Sequence, residues 1–356
     1  MDAQKIPVLL IFGYPLNFRH FGGLVWIQNI ADCIEKTQIL RVRKVSNDVN
    51  STSRYMHRLV HIRAVIQGFL TNPNIAMLDT YGEASLSMWI LLRLFKPATR
   101  IVTVFHHYES LGTRHRNSGL LTIMYCKFID YLTKLMLRNS DNILTVSLSS
   151  SRQLHDQVRI SDNDKIVVVG CSDSINMPSW VSGAPKDIDL LCIGRIEKFE
   201  GLEEIWNFIR KNVPSSKFVL AGRASAGEIS RLRKIGIDHR GIVSEEEKLK
   251  LYSRAKVFIF PSLFEGFGLA VTEAIAAGLS IIAWKLPVFE ERFGKEGSNH
   301  LRLVEIGETS KFAQESLLAM SKYKEARDRK NEYKKRVKMT WDDIGKSVSL
   351  LLGRLQ

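Results

Sequence analysis

At 356 residues the chain is too long for one ordinary hydrophobic core, and we expect two domains. Hydrophobic residues make up 45% and charged residues 25%, a profile typical of soluble globular proteins. The formal net charge of +14 is spread through both halves of the chain, and it is compatible with anionic lipid, nucleic acid or phosphorylated small molecules as partners.

Targeting and membrane-spanning signals are weak. No cationic, apolar leader with a small-residue cleavage site is present, so we expect no cleaved secretory signal. The most apolar stretch, Gly119 to Leu137, contains Lys127, Asp130 and Lys134 at helical spacing. It therefore predicts an amphipathic or half-buried helix and not a membrane span.

The cysteines predict neither a disulfide framework nor a zinc site. They lie far apart and without paired spacing, at positions 33, 126, 171 and 192. Such cysteines fit a reducing cytoplasm. No cluster of histidine, cysteine and carboxylate residues has metal-ligand spacing, so no metal is expected.

Short apolar runs alternate with amphipathic segments, which is the pattern of βαβ units with parallel sheets. The elements predicted in the first half are, in chain order, strand Val8–Phe12, helices Leu24–Glu35 and Met56–Leu70, strand Ile75–Leu78, helix Ala84–Phe95, and strands Ile101–Phe105, Ile143–Val146 and Ile166–Val169. Those of the second half are strand Asp189–Ile193, helix Glu203–Lys211, strand Phe218–Ala221, helix Ala226–Ile235, strand Gly241–Val243, helix Glu245–Arg254, strand Val257–Phe260, helix Leu269–Ala277 and strand Ile281–Ala283.

Residues 176–186 contain Pro178, Gly183 and Pro185 with little periodicity, as expected of a connection between domains. We therefore predict an N-terminal domain over residues 1–178, a C-terminal domain over 179–335, and a C-terminal helix over 336–356 that packs back on the first domain. Two doubly wound α/β domains would leave a cleft between the carboxyl edges of their sheets, where ligands bind near helix N-termini.

The segment from Phe260 to Glu273 is the strongest candidate for chemistry. A strand ends at Phe260, a loop with two glycines follows, and a helix opens near Leu269. The free amides at the helix opening would face an anion such as a diphosphate. Glu265 on the loop and Glu273 one turn into the helix could both reach that ligand. The alternative is that both are surface carboxylates that favour the positive end of the helix dipole.

The segment resembles the E-x7-E region of retaining GT-B glycosyltransferases, in particular family 4, also called glycosyl transferases group 1. Three further stretches are similar to that family: Leu191 to Ile196 with its Gly-Arg pair, Leu220-Ala221-Gly222, and Gly241 to Ala255. The resemblance implies a GT-B fold, in which two Rossmann-like domains face a central cleft. The first half of the chain matches only loosely.

Several roles follow from the resemblance. Glu273 would hold the donor ribose and Glu265 would lie beside the donor sugar as a catalytic residue. Arg195 would neutralise the leaving diphosphate in place of a metal ion. The remaining donor contacts would come from the loop and from the border of the base: Gly266, Phe267, Gly268, Leu269, Ile242 and Val243.

One position departs from the family pattern. The family has a lysine five residues after the arginine, where this chain has Glu200, and a carboxylate beside a diphosphate is unfavourable. Lys198 is the candidate to replace that lysine.

In the first half, the strand Ile101–Phe105 runs into His106 and His107. A histidine at a strand end is more often structural, but the family commonly has a functional histidine at a similar strand end, and we favour His106 as a catalytic residue. Gly23, before the first predicted helix, resembles the family's N-terminal glycine loop, which would approach the diphosphate. Three residues of the preceding loop, Asn17, Arg19 and His20, are acceptor-side candidates without a motif.

The sequence thus predicts a cytoplasmic, metal-independent retaining glycosyltransferase without a cofactor. Its donor would be a nucleotide sugar, and its acceptor a glycan or a lipid-linked glycan at the inner membrane face, where the basic surface would meet anionic lipid. Two alternatives are a nucleotide-sugar 2-epimerase on the same fold and a basic nucleic-acid-binding protein. No RNA- or DNA-binding motif is present, so a nucleic-acid partner is not expected.

Overall fold

The computed structural model describes residues 8–13, 22–46, 54–80, 83–107, 119–160, 165–172, 178, 185–294, 297, 300–323 and 339–355. The chain divides into two compact units. Unit 1 combines Met1–Ser172 with Met339–Gln356, and unit 2 is Asp173–Lys338. The divisions therefore fall after residues 172 and 338, compared with 178 and 335 in the sequence prediction.

Unit 1 is built on a six-stranded parallel sheet with strand order β2-β1-β3-β4-β5-β6. Its strands are β1 Val8–Gly13, β2 Arg41–Ser46, β3 Ile75–Asp79, β4 Arg100–Phe105, β5 Asn142–Thr145 and β6 Ile166–Val168. Its helices are α1 Gly22–Thr37, α2 Arg54–Leu70, α3 Glu83–Phe95, α4 Leu120–Arg138 and α5 Leu148–Gln153, which continues as a π-helical turn over Leu154–Val158.

Unit 2 has a second six-stranded parallel sheet, with order β12-β11-β10-β7-β8-β9. Its strands are β7 Ile188–Ile193, β8 Phe218–Ala221, β9 Asp238–His239, β10 Ala255–Phe260, β11 Ser280–Trp284 and β12 Leu301–Val304. Its helices are α6 Leu202–Asn212, α7 Ala226–Lys234, α8 Glu245–Arg254, α9 Leu269–Ala276, α10 Pro287–Phe293 and α11 Thr309–Ser321, with a 3₁₀ turn at Ile196–Lys198. The last helix of the chain, α12 Trp341–Gly353, belongs to unit 1.

Both faces of each sheet are covered by helices, which explains why the strands are continuous apolar runs. In unit 2, Leu191 and Phe258 belong to one hydrophobic cluster, while Leu190, Val257 and Ile259 belong to another. Because successive side chains of a strand point to opposite faces, these are the cores on the two sides of the sheet.

The helices of unit 1 form two layers. The connections through α2, α3 and α4 all advance across the sheet in one direction, while that through α1 runs the other way. Right-handed crossovers therefore put α2, α3 and α4 on one face and α1 on the other. In agreement, α2 packs on α3 and α3 on α4, whereas α1 packs on α12.

The structure corrects one predicted strand. Residues Gly241–Val243 are not a strand: β9 is the short pair Asp238–His239, and beyond it the carbonyl of Gly241 accepts from the amide of Gly222 at 2.7 Å. Gly241 has φ +70°, a left-handed conformation that interrupts an extended strand. Residues 241–243 instead form the loop that leads into α8.

Candidate active site

The loop Glu265–Gly268, which we call the donor loop because the family resemblance predicts that it contacts the donor, lies at the carboxyl end of β10 and leads directly into α9. Gly268 precedes the first helical residue with φ +81°, and a Cβ atom at this position would stand 2.4 Å from the ring of Phe289. Only glycine meets both conditions, the left-handed backbone and the close approach. The loop is therefore held in one conformation against α10.

Arg292, on the same helix α10, also holds the donor loop. Its guanidinium donates to the carbonyl oxygen of Phe267 at 2.8 Å and to Oγ1 of Thr272 at 3.0 Å. The same guanidinium stacks 3.7 Å from the ring centre of Phe267. Sequence reasoning did not identify Arg292, because no motif links α10 to the loop.

Glu265 stands between a hydroxyl and an ammonium group. Its Oε1 accepts a hydrogen bond from Oγ of Ser262 at 3.0 Å. Nζ of Lys198 lies 3.9 Å from the same oxygen and donates to the carbonyl oxygen of Phe264 at 3.2 Å. Lys198 is buried, so its positive charge is directed into the loop and not into solvent.

The position of Lys198 follows from backbone pairing between the 3₁₀ turn and the donor loop. The amide of Leu263 donates to the carbonyl of Lys198, and the amide of Glu200 donates to that of Pro261. The carbonyl of Glu200 also accepts from Nε1 of Trp284. The exposed side chain of Glu200 has no such role, so Lys198 and not Glu200 is the residue that adjoins Glu265.

Arg195 lies at the carboxyl end of β7, the strand that pairs with β10. Its Nη1 is 3.9 Å from Oε1 of Glu197, and both side chains are half-buried. A Cβ atom on Gly222, at the end of β8, would stand 1.8 Å from the carbonyl oxygen of Gly194. Gly194 and Gly222 thus allow the chain to pass closely at the carboxyl ends of β7 and β8, immediately before Arg195.

Glu273, on α9, is held by two residues of α8. Oε1 accepts from Nζ of Lys248 at 2.8 Å, and Oε2 accepts from the hydroxyl of Tyr252 at 2.9 Å. Lys248 also pairs with Glu245 at 2.9 Å.

The two groups that donate to Glu273 both have a raised pKa. Burial alone would lower the pKa of Lys248, but the charges and hydrogen bonds of Glu273 and Glu245 raise it above its ordinary value. Burial, with the adjacent Glu273, raises the pKa of Tyr252 well above its ordinary value. Both groups are therefore hydrogen-bond donors at neutral pH. The sequence offered one signal for them, the i, i+4 spacing that puts Lys248 and Tyr252 on one side of a helix.

The loop from Gly241 to Ser244 lies at the carboxyl end of β9. Ile242 is exposed, while Val243 is half-buried against the core. Ser244 and Glu247 form a capping box, which fixes the start of α8 immediately after Ser244.

The candidate histidines of unit 1 follow the carboxyl end of β4, which pairs with β3. His106 is buried, with Nε2 3.9 Å from the carboxylate of Asp79, which ends β3. Its ring meets the edge of Trp26, and its carbonyl accepts from Oγ of Ser150. His107 is half-buried.

Gly23 is the second residue of α1, a residue earlier than the predicted start of that helix. The acceptor-side candidates Asn17, Arg19 and His20 lie outside the described residues.

Within the part of the chain that the structure describes, no group of three or more histidine, cysteine or acidic residues could hold a metal ion. The described helices include none that is both long and apolar enough to cross a membrane.

Residues 187–321 match the family model described as glycosyl transferases group 1. The family resemblance predicted from the sequence motifs is therefore confirmed for this segment, which contains Arg195, Lys198, Glu265 and Glu273.

The curated relatives are glycosyltransferases. The GtfA subunit of the UDP-N-acetylglucosamine–peptide N-acetylglucosaminyltransferase of Streptococcus pneumoniae is 26% identical over 213 residues, which is 56% of this chain and 41% of that protein. The O-antigen chain mannosyltransferase RfbU of Salmonella typhimurium is 24% identical over 173 residues, 46% of this chain and 48% of that protein. The chain thus spans about half the length of the curated relatives it matches.

Solved structures resemble the chain over almost its whole length. Sucrose-phosphate synthase from Thermosynechococcus elongatus has a TM-score of 0.73 at 16% identity and covers 99% of both chains. Anabaena HepE in complex with UDP has a TM-score of 0.65 at 13% identity, covering 98% of this chain and all of that one. With the two parallel sheets, these similarities confirm the predicted GT-B fold of two Rossmann-like domains.

Proposed function

We propose that the protein is a retaining glycosyltransferase that moves a sugar from a nucleotide sugar to an acceptor hydroxyl without a metal ion. The observation that carries the proposal is the donor loop between Lys198 and Glu273. The buried ammonium group of Lys198 adjoins Glu265. The carboxylate of Glu273, fixed by two hydrogen-bond donors, lies one turn into the helix that follows the loop. This arrangement matches what a diphosphate, a sugar and a ribose require.

Each group has a distinct task in this proposal. Glu273 accepts the hydroxyls of the ribose, while Glu265 binds hydroxyls of the donor sugar. Gly266, Phe267, Gly268 and Leu269 contribute backbone contacts, and Ile242 and Val243 border the base. Gly23 would approach the diphosphate, and His106 would bind the donor sugar or orient the acceptor.

The chemistry is the departure of the nucleoside diphosphate. Negative charge develops on its terminal phosphate as the glycosidic bond breaks, and Arg195, Lys198 and the amides at the start of α9 stabilise that charge. These cations would supply the stabilisation that a metal ion supplies elsewhere. The departing phosphate oxygen takes the proton of the acceptor hydroxyl, which attacks the same face of the sugar and so retains the anomeric configuration.

The partners are proposed in the same way. HepE binds UDP, and the GtfA relative acts with UDP-N-acetylglucosamine, which makes uridine nucleotides the first donors to test. The acceptor would be a glycan or lipid-linked glycan, in the cytoplasm at the inner membrane face.

The test is a thermal-shift screen against UDP-, GDP- and ADP-sugars, followed by transfer with the donor that stabilises the protein. The proton NMR spectrum of the product should show the same anomeric configuration as the donor sugar. Transfer activity should be unchanged by EDTA. An inverted product would contradict retention, and a 2-epimer formed without acceptor would replace transfer by epimerisation.

A further inference from the structure

Helix α4 exposes a stripe of large apolar side chains that has no task in the proposed reaction. The members of this stripe are exposed by 49 to 84%: Leu120, Leu121, Met124, Tyr125, Phe128 and Tyr131. Their spacing of three and four residues puts them on one side of the helix. The opposite side is packed into the unit through Cys126, Met136 and Leu137. Soluble monomers rarely expose so many apolar side chains together.

Basic residues border the apolar stripe. At about 100° per residue, Lys127 and Lys134 project beside the stripe, on the side of Leu120. Asp130, which is the one acidic residue of α4, projects further from the stripe; Asp130 and Lys134 are both half-buried, whereas Lys127 is exposed. The helix therefore presents an apolar face with a positive flank.

Helix α2, in the same layer, repeats this pattern. Leu59, Ile62, Ile66 and Leu70 are exposed at helical spacing, with Arg63 exposed beside them. The sequence of α2 contains no acidic residue. A partner that covers both α2 and α4 must therefore accept apolar side chains and carry negative charge that attracts their basic residues.

We propose that the outer face of α4 binds the surface of an anionic phospholipid bilayer. The apolar stripe enters the boundary between head groups and acyl chains, and the exposed Lys127 reaches the lipid phosphates. Tyrosines with an apolar ring and a polar hydroxyl suit this depth, and the stripe contains two of them. The helix lies in the plane of the membrane, because α4 is not apolar enough to cross it.

Charge favours lipid over a second copy of the chain. Pairing two α4 helices would bring the exposed Lys127 of both copies to one interface, and α4 itself has no exposed acidic residue to receive them; the carboxylate of Glu83 on α3 accepts from the hydroxyl of Tyr125 at 2.5 Å. An anionic bilayer supplies the opposite charge. Because α4 follows β4 and runs back along the sheet, its stripe begins at the carboxyl edge where His106 lies.

The test is flotation of the full chain with vesicles of phosphatidylglycerol and phosphatidylcholine. The double variant Leu121→Gln/Phe128→Gln removes two exposed apolar groups and should lower the partition coefficient on the order of tenfold or more. Lys127→Glu should lower it about fivefold at low salt and less at high salt. The matched control is Ile306→Gln/Leu318→Gln, which changes two exposed apolar residues of unit 2 and should leave partition unchanged.

Vesicle binding does not depend on transfer, and a nucleotide thermal shift of each variant checks the donor site separately. Absence of wild-type flotation would overturn the proposal, as would an equal loss in the control variant. A concentration-dependent dimer, detected by light scattering and abolished by the α4 double variant, would assign the stripe to a second copy instead.

Discussion

Glu265 and Glu273 differ in what surrounds them, and this difference limits what each can do. Glu273 accepts from the half-buried ammonium of Lys248 and the buried phenol of Tyr252, one on each oxygen. Each oxygen still has a lone pair to accept a further hydroxyl, so a ribose can bind without displacing either donor. Glu265 has one hydroxyl donor and an ammonium at 3.9 Å, a looser arrangement that can adjust to a sugar.

If the Tyr252 hydroxyl positions Glu273, then Tyr252→Phe should weaken donor binding more than turnover. Loss of one hydrogen bond of about 1 kcal/mol predicts a roughly fivefold higher donor KM with kcat within about twofold of wild type. Steady-state kinetics with saturating acceptor measures both constants. Glu245→Gln is the control, because it removes only the exposed partner of Lys248. A loss of kcat at unchanged KM would contradict the positioning role.

Lys198 and Glu200 provide a test of the phosphate contact. Lys198→Met preserves much of the buried volume but removes the charge, and it should lower kcat/KM by roughly 100-fold, as expected for loss of about 2.7 kcal/mol of transition-state stabilisation. Glu200→Gln changes an exposed side chain and should stay within about twofold. The two variants can be compared in one transfer assay, and a larger loss in Glu200→Gln would reverse the assignment.

At the scale of elements, the donor loop was predictable from local features. An apolar strand, two glycines and an apolar helix are adjacent in the chain, so local pattern alone was enough to locate Glu265 and Glu273. The contact between Tyr252 and Glu273 joins residues 21 positions apart on different helices, and local patterns carry no information about such tertiary pairing. The strand at Gly241–Val243 was wrong because β-branched residues also suit a loop that borders a core.

The packing of α12 on α1 depends on Gly345. A Cβ atom at this position would stand 2.2 Å from Cβ of Cys33. Gly345→Val should therefore destabilise unit 1 by about 1–3 kcal/mol through overpacking.

Thiol chemistry reports the same contact. Burial, together with the hydrogen bond to Asp342, raises the pKa of Cys33 to about 11, so its thiol is neutral and slow to react at pH 8. Gly345→Val should speed its labelling by DTNB, whereas Gly353→Val, at the end of α12, should not, because a Cβ there would make only an ordinary contact, 3.7 Å from Ile39. Equal labelling rates in the two variants would refute the role of Gly345.

For the whole molecule, the alternation of strands and helices predicted two parallel sheets, while two of their edge strands were missed. Strand β2 has three basic residues and only two valines, and the four residues of β12 include the exposed Arg302. Both pair on one side only, so neither requires the continuous apolar run that marked the central strands.

Every residue proposed to contact the nucleotide base and ribose lies in unit 2, which predicts a response to nucleotide that differs between the units. At 100 times its dissociation constant a ligand stabilises the folded state by about 2.7 kcal/mol. Core amides of β7 and β10 that exchange by unfolding of unit 2 should then exchange about 100-fold more slowly with UDP, or with whichever nucleotide binds. Amides of α12 should change much less, because the one nucleotide contact proposed from unit 1 is that of Gly23 with the diphosphate. Hydrogen-exchange mass spectrometry measures both regions in one sample, and Glu273→Ala should abolish the protection. Equal protection of the two units would mean that nucleotide binding is not confined to the residues of unit 2.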